Sequence, residues 1–580
     1  MNHLELTPVR RLGRLLKNFR KEIRYVLLYA LVAGLIQLSL PLGIQAIIGL
    51  IAGGSLSASW GVLVFFVSVG VLLSGLLRLL QLSVMEYMQR RLFTESAFEF
   101  AQRIPRLNTE SLRDAYIPEL VNRFFDTVNL QKGLPKILIE GSAAIFQVLL
   151  SLIVLSFYHQ SFVIFSILLL VVLTLLFRIT APQGIRTSLE ESKYKYKLAF
   201  WLEEVGRVSS TFKLSGDRRF PLQRTDELTI QYLRARAKHW NILLIQMVGS
   251  MVFKTLVLAG FLVLGSVLVM ENQLNIGQFV ASEILILFVI DSVEKIILLH
   301  ETGYDMVTAA EKLGQVSDLP LEREDGIRLE SVCKGRPLAV EMRGLSYQFA
   351  DSNKRILDQL DLKIVAGERV AIAGYTSSGR GTLLQILSVA RRDFSGQLLF
   401  NGISKPNLHL RSLRARIGDI SNHVDVFKGS ILENLTLGDD RITLSSVLDM
   451  CESVGLSAFF QTLPQGINSE ILPGGKNLSR SVTTKILVAR ALLTNPYLLV
   501  MDEPTASLQF QDRIKISRLL TGSGRTWTLV ASTDDPLLAS MCDRVLVMNE
   551  GRIIFSGTFD ALQQTEHYKK LFNTEIQTDL

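Results

Sequence analysis

Cysteine is scarce. Only Cys333, Cys451 and Cys542 occur among 580 residues, none at metal-ligand spacing, which excludes a disulfide framework and a metal centre as organising devices. Low-complexity tracts and short solenoid-like repeats are missing too, and no basic groove with interleaved aromatics occurs. The formal net charge of +8 is therefore not a nucleic-acid footprint, and no nucleic-acid partner is expected. Lys and Arg are absent from three short connections, 52–58, 158–161 and 271–275, although the segments between the other apolar runs are rich in both.

What is present in excess is apolar sequence. The composition is 48% hydrophobic with a mean hydropathy of +0.30, high for a soluble protein, and the excess lies in the first half. Six runs, about 25–50, 60–84, 137–158, 161–181, 245–270 and 277–299, are long enough to cross about 30 Å of hydrocarbon at roughly 20 residues each. The connections without Lys or Arg follow the first, third and fifth runs, so the positive-inside rule puts both termini in the cytoplasm. Segments 85–136 and 182–244 are long and polar, and are expected to carry the spans onward as cytoplasmic helical hairpins. Ahead of the first span, Leu12, Leu15, Leu16 and Phe19 fall at helical spacing among Arg11, Arg14, Lys17 and Lys21. That pattern predicts an amphipathic helix lying on the inner face of a lipid bilayer. The apolar run behind it exceeds a signal-peptide core, and with about two dozen residues ahead of the first span no N-terminal processing domain is expected.

The second half alternates strand and helix patterns, as an α/β domain does. Within it, Gly374-Tyr375-Thr376-Ser377-Ser378-Gly379-Arg380-Gly381-Thr382 lies between an apolar strand, Val370–Ala373, and an apolar helix, Leu383–Ala390. This is the setting of a phosphate-binding loop, which needs glycines for close phosphate approach, a Lys for the β- and γ-phosphates and a hydroxyl for Mg²⁺. Two working groups are lacking: the Lys place holds Arg380, and the hydroxyl place holds Gly381, with Thr382 offset by one residue. Arg380 keeps the charge but exchanges a compact ammonium for a planar fork. Downstream, Tyr497–Pro504 is an apolar strand ending in Asp502 and Glu503. In a nucleotide hydrolase the first carboxylate holds Mg²⁺ through water and the second polarises the attacking water.

The loop, the Asn477–Ser481 stretch followed by Ile486–Leu493, the Asp-Glu-Pro and the six preceding spans together resemble a half-size exporter of the ABC transporter family, over nearly the whole chain. The resemblance implies a six-helix, all-α transmembrane domain with long cytoplasmic extensions, followed by an α/β P-loop cassette. The expected limits are 1–24 for the amphipathic segment, 25–318 for the transmembrane domain, 319–336 for a linker and 337–580 for the cassette. It also implies ATP and Mg²⁺ as ligands and a second half-transporter as partner, with each nucleotide held between the loop of one cassette and the signature of the other.

Position by position, the resemblance gives Phe349 as the ring that stacks on adenine, with Tyr347 a near alternative, and Asn422 as the shortened counterpart of a Mg²⁺-linking glutamine. The signature Leu-Ser-Gly-Gly-Gln appears as Leu478-Ser479-Arg480-Ser481-Val482, keeping the serine and losing both glycines. Gln509 replaces the dimer-loop aspartate, Ser532 replaces the switch histidine, and Ser377 stands where the family has a second loop glycine. Weak or absent hydrolysis by this chain alone is the expectation. The function implied is export of an unidentified substrate from the inner membrane by a homodimer or heterodimer. The alternative is a catalytically inactive scaffold or regulatory subunit of a secretion complex, with a periplasmic adaptor left open. In the membrane half, Lys254, Asp291 and Glu140 lie at similar depth, and a pair of Lys254 with Asp291 or Glu140 is predicted.

Overall fold

The computed structural model describes residues 7–52, 58–108, 116–216, 219–333, 335–349, 352–420, 426–524 and 526–572. The chain divides into two compact units, the second formed mainly by the residues from Leu321 onward.

The first unit is all helix. Without water, backbone polar groups must be met within the segment that carries them, so apolar runs of this length become helices. Among the described residues, six helical stretches are long and apolar enough to cross a membrane: Arg20–Ile51, Ala58–Arg106, Ile117–Tyr158, Gln160–Arg207, Arg219–Met270 and Ile276–Ser317. The unbroken helix Ala58–Arg103 has 46 residues, and at about 1.5 Å per residue is far longer than a bilayer is thick. The polar segments thus continue the spans as helix. Where the first stretch changes from Arg20–Gln37 to Ser39–Ala52, Pro41 lies in the opening turn of the second piece. Asn275 starts the last helix with a reciprocal capping box to Gln278.

The third stretch contains a defect and its repair. Pro135 ends the helix Asp126–Pro135, and a π-helical turn, Lys136–Gly141, follows before Ser142–Tyr158. Proline has no N–H to give the carbonyl of Gln131, four residues back. The side-chain amide of Gln89 donates to that carbonyl at 2.6 Å, and the amide of Gln131 donates in return to the carbonyl of Gln89 at 2.8 Å. Elsewhere in the unit, Phe162, Phe261 and Phe279 form a stacked run with centroid separations of 6.1 and 5.7 Å. The Tyr304 ring occupies the space a side chain at Gly184 would need, while its hydroxyl accepts from Gln246 at 2.7 Å.

The N-terminal helix Pro8–Lys17 lies against this unit with Leu12, Leu15 and Leu16 half-buried. Arg11 holds it there, paired with Glu311 and, at 2.8 Å, with Asp318 at the end of the last helix.

The second unit is α/β. An antiparallel sheet has the order β2-β1-β4-β5, built from β1 (Val340–Gln348), β2 (Arg355–Ile364), β4 (Ser395–Phe400) and β5 (Ile403–Ser404). The main sheet runs β12-β11-β3-β10-β9-β6, from β3 (Arg369–Gly374), β6 (Ile417–Ile420), β9 (Leu498–Asp502), β10 (Thr528–Ser532), β11 (Arg544–Asn549) and β12 (Arg552–Gly557). A small ladder pairs β7 (Gly429–Ser430) with β8 (Glu470–Ile471). The strands β3, β6, β9, β10 and β11 pair in parallel, and β3 and β9 are almost wholly buried, which explains their continuous apolar sequence. Leu329 and Cys333, from the stretch expected to be a linker, are buried in this unit's core with Val340 and Phe400.

Gln89→Leu should destabilise the first unit by about 1 kcal/mol, since it leaves a part-buried carbonyl unmet. Gln131→Leu should cost less, because the carbonyl of Gln89 lies within an unbroken helix. Thermal unfolding of both variants in detergent checks this, and equal losses would show that the proline defect is not what Gln89 repairs.

Candidate functional site

Register brings the site together. Ser532 lies opposite Asp502 on β9 and Ile372 on β3, so the carboxyl ends of three parallel strands end side by side, where α/β sheets place ligands. The loop leaves β3 at Gly374, where a Cβ would stand 2.6 Å from Ser378 Oγ and 2.7 Å from the carbonyl of Met548. Ser377 (φ 60°) and Gly379 (φ 95°) both take the left-handed turn, and the helix Arg380–Leu387 starts directly after. A serine tolerates that turn less well than glycine, so Ser377 carries local strain. The Ser378 hydroxyl is buried with no hydrogen-bond partner. Thr382 is half-buried one step into the helix.

Arg380 does not point into open solvent. Its guanidinium forms a fork with Asp534, Nη1 to Oδ1 at 2.5 Å and Nη2 to Oδ2 at 3.3 Å, and Nη1 stands 3.7 Å from Glu503 Oε1. The last distance is too long for a hydrogen bond, and that oxygen has no hydrogen-bond partner. Glu503 itself sits in a left-handed backbone position (φ 46°), and its Oε2 accepts from the Asp534 N–H at 3.4 Å. Burial, and then the Asp534 charge, push its carboxyl up to about 7, against the smaller opposing pull of the Asp534 N–H and Arg380.

The residues present do not make a complete Mg²⁺ site. Asp502 supplies a carboxylate, and a Cβ at Gly381 would lie 3.9 Å from its Oδ2, so a hydroxyl at 381 would belong beside that carboxylate. Glycine supplies none, and the nearest resident cation is Arg380. Asn422 lies outside the described residues.

The remaining predicted residues sit on other elements. Phe349, just after β1, is an exposed ring packed edge-on against Tyr347 at 5.1 Å, with the Arg391 guanidinium 5.1 Å from its centroid. Tyr347 is buried and its hydroxyl accepts from Arg391, so of the two rings Phe349 is the one open to a base. Ser479 caps the helix Arg480–Leu493, accepting from the Val482 N–H at 3.3 Å. Gln509 precedes the helix Phe510–Thr521 and makes no side-chain cap. The Ser532 hydroxyl is buried and unpartnered, and does not reach the loop. Asp534, two residues further on, does. Sequence reading missed it, although an Asp-Asp doublet directly after the strand was a visible signal; Asp535 is the inward member, bonded to Arg513 and Thr505.

In the membrane half the predicted pair is corrected. Lys254 pairs with Glu294 at 3.1 Å, whereas Asp291 is taken by Lys295 on its own helix at 2.6 Å. An i,i+4 partner competes for Asp291 without any interhelical fit, and Glu294, three residues along, shares its helical face. Glu140 does not meet Lys254 either. It lines a cavity of about 590 Å³ with Arg78, Lys295, Gln37 and Gln147.

The family model for the ABC transporter transmembrane region matches residues 23–293, and the model for the ABC transporter cassette matches 357–506. An ATP-dependent lipid A-core flippase of Francisella tularensis subsp. tularensis (strain SCHU S4 / Schu 4) is 28% identical over 273 residues, 47% of this chain and 44% of the relative. The alpha-hemolysin translocation ATP-binding protein HlyB of Escherichia coli O157:H7 is 26% identical over 52% of this chain and 42% of its own length. The chain thus spans less than half the length of these curated relatives in the matched regions. A solved bacterial Atm1-family ABC exporter with ATP bound superimposes with a TM-score of 0.84 at 19% identity, covering 95% of this chain and 97% of that one, which places the two in one fold.

Two measurements follow from this geometry. Between about pH 4.5 and about 7, folded Glu503 holds a proton that the unfolded chain has lost, so this group's contribution to stability falls as pH rises through that window. Glu503→Gln removes the dependence, and should raise the thermal midpoint of the second unit at pH 8 while leaving it unchanged below pH 5. A shift of equal size at both pH values would refute the perturbed carboxyl. For the membrane pair, a double-mutant cycle on Lys254→Ala and Glu294→Ala should give a favourable coupling, because removing either partner alone leaves an unpaired charge in the membrane half. Lys254→Ala with Asp291→Ala should be additive.

Proposed function

The chain belongs to the ABC transporter family, and from that premise we propose that it serves as one half of a dimeric exporter whose own cassette hydrolyses ATP weakly or not at all. The observation that carries this reading is the Arg380 fork on Asp534, beside a buried Glu503 and next to a Gly381 that offers no hydroxyl. A guanidinium tied to Asp534 where an ammonium would grip phosphate, with no hydroxyl at 381 to hold a metal, is poorly arranged to aim a water, although a carboxyl raised to about 7 is itself suited to take a proton. Bound ATP would lie along the loop, with Phe349 under the base and Asp502 facing any metal. Arg480 and Ser481, where backbone approach needs glycine, weaken the second face of the sandwich that Ser479 would complete.

Alternating access would then depend on a partner whose cassette supplies sound motifs, with both termini of this chain on the cytoplasmic side of an inner membrane. Cargo would meet the cavity lined by Arg78, Glu140 and Lys295, a polar and charged lining in which Lys295 is already paired with Asp291. The similarity to a lipid A-core flippase and to HlyB leaves lipid and polypeptide as the cargo classes to compare. The same locked Arg380 favours a second reading, a non-hydrolysing scaffold or regulatory subunit of a secretion complex, in which an adaptor partner has a place. Substituting Arg78 and Glu140 in that cavity separates the two, because it leaves export unchanged only in a scaffold.

ATP turnover by the purified, reconstituted chain should be negligible, and Arg380→Lys with Gly381→Ser should raise Mg-ATP affinity by rebuilding the phosphate and metal contacts. Steady-state ATPase and equilibrium binding with and without Mg²⁺ check both. Brisk turnover abolished by Glu503→Gln would overturn the weak-cassette reading.

A further inference from the structure

The loop's disagreement with a metal has a positive counterpart. We propose that this site takes the phosphate chain of a nucleoside triphosphate without a divalent cation, with Arg380 as the resident positive charge and Asp534 as the residue that gates it. The proposal deepens the cassette reading above and rests on it.

Much of the phosphate cradle remains. The left-handed Ser377 and Gly379 shape the loop, and the eight-residue helix Arg380–Leu387 presents its N-terminus, so backbone N–H groups and the helix dipole still favour an anion. A second observation points the same way. The Ser378 hydroxyl is inside the loop, on a residue only 3% exposed, and has no partner. A buried hydroxyl left unpaired costs free energy unless a ligand meets it.

Charge then decides the rest. A triphosphate approaching this site faces Asp502 and Asp534, and no hydroxyl at Gly381 helps to hold the metal that would neutralise it. Arg380 is the cation left to do so. Its two-point grip on Asp534 has the geometry with which a guanidinium holds a phosphate, so the carboxylate stands where a phosphate group could replace it. The replacement is feasible because the pair is unequal: the Arg380 side chain is 19% exposed, but that of Asp534 is 54% exposed. A half-solvated carboxylate gains little from its partner and loses little on release. A phosphate chain brings more negative charge and additional contacts to the loop backbone. Asp534 therefore selects against weakly charged anions and sets the threshold for entry.

The test is equilibrium binding of ATP to the full-length protein in nanodiscs, in EDTA and in Mg²⁺. Wild-type affinity should be the same in both within about twofold, and Asp534→Asn should tighten it about fivefold, equivalent to about 1 kcal/mol. Asp534→Ser provides a second version of the same change, and both are scored only beside an unchanged thermal midpoint. Arg380→Ala should weaken metal-free binding at least as much as Asp534→Asn strengthens it. A tenfold requirement for Mg²⁺, no gain from either Asp534 variant, or no binding by wild type and Asp534→Asn alike would overturn the proposal. Its failure is distinguishable from failure of the weak-cassette reading, which is judged by turnover and not by affinity.

Discussion

Inside hydrocarbon, backbone hydrogen bonds cannot be left to solvent, and the first unit of this protein is shaped by that requirement. It fixes helices as the form of the apolar runs; in the polar segment 85–136 that continues them, a proline at a helix end still leaves a carbonyl to be met elsewhere. At Pro135 the missing donor is replaced by Gln89 from a neighbouring helix, with Gln131 returning the bond. The exchange ties two long helices together at the start of the π-turn, beside which Glu140 reaches the cavity. A backbone defect and a polar cavity thus lie within a few residues of each other, in keeping with the frequent placement of π-turns near functional positions.

The second unit separates scaffold from chemistry. Parallel pairing of β3, β9 and β10 sets Gly374, Asp502 and Ser532 at one edge whatever their side chains are, because strand register depends on buried apolar residues and backbone bonds. Substitutions at the edge, such as Arg380 and Gly381, therefore change the site without disturbing the sheet. The result is a phosphate-binding architecture in which the residue at the lysine place is engaged by a carboxylate, and the catalytic-type carboxylate is held near neutrality by burial.

Charge is handled differently in the two units. In the cassette, Arg380, Asp534 and Glu503 converge at one point, and the short Arg–Asp contacts dominate the longer Arg–Glu one. In the membrane half, Lys254–Glu294 bridges two helices while Asp291–Lys295 stays within one. The interhelical pair can report on relative helix movement and the local pair cannot.

Much of this was legible in the sequence for a definite reason. Helix and strand follow from periodicity and run length, and a phosphate loop follows from glycine spacing between strand and helix, so the six spans, the α/β unit and the altered loop could all be read residue by residue. The changes at Arg380, Gly381, Arg480 and Ser481 are visible as letters because those positions are defined by local spacing. Only the tertiary structure decided which partners the charged groups take. Asp534 reaches Arg380 across 154 residues, Glu294 instead of Asp291 meets Lys254, and Phe349 rather than Tyr347 remains open once Arg391 engages the tyrosine hydroxyl. Pattern along a chain fixes which face a side chain occupies, but contact across elements depends on strand order, helix rotation and competition among nearby charges, none of which is encoded at a fixed spacing.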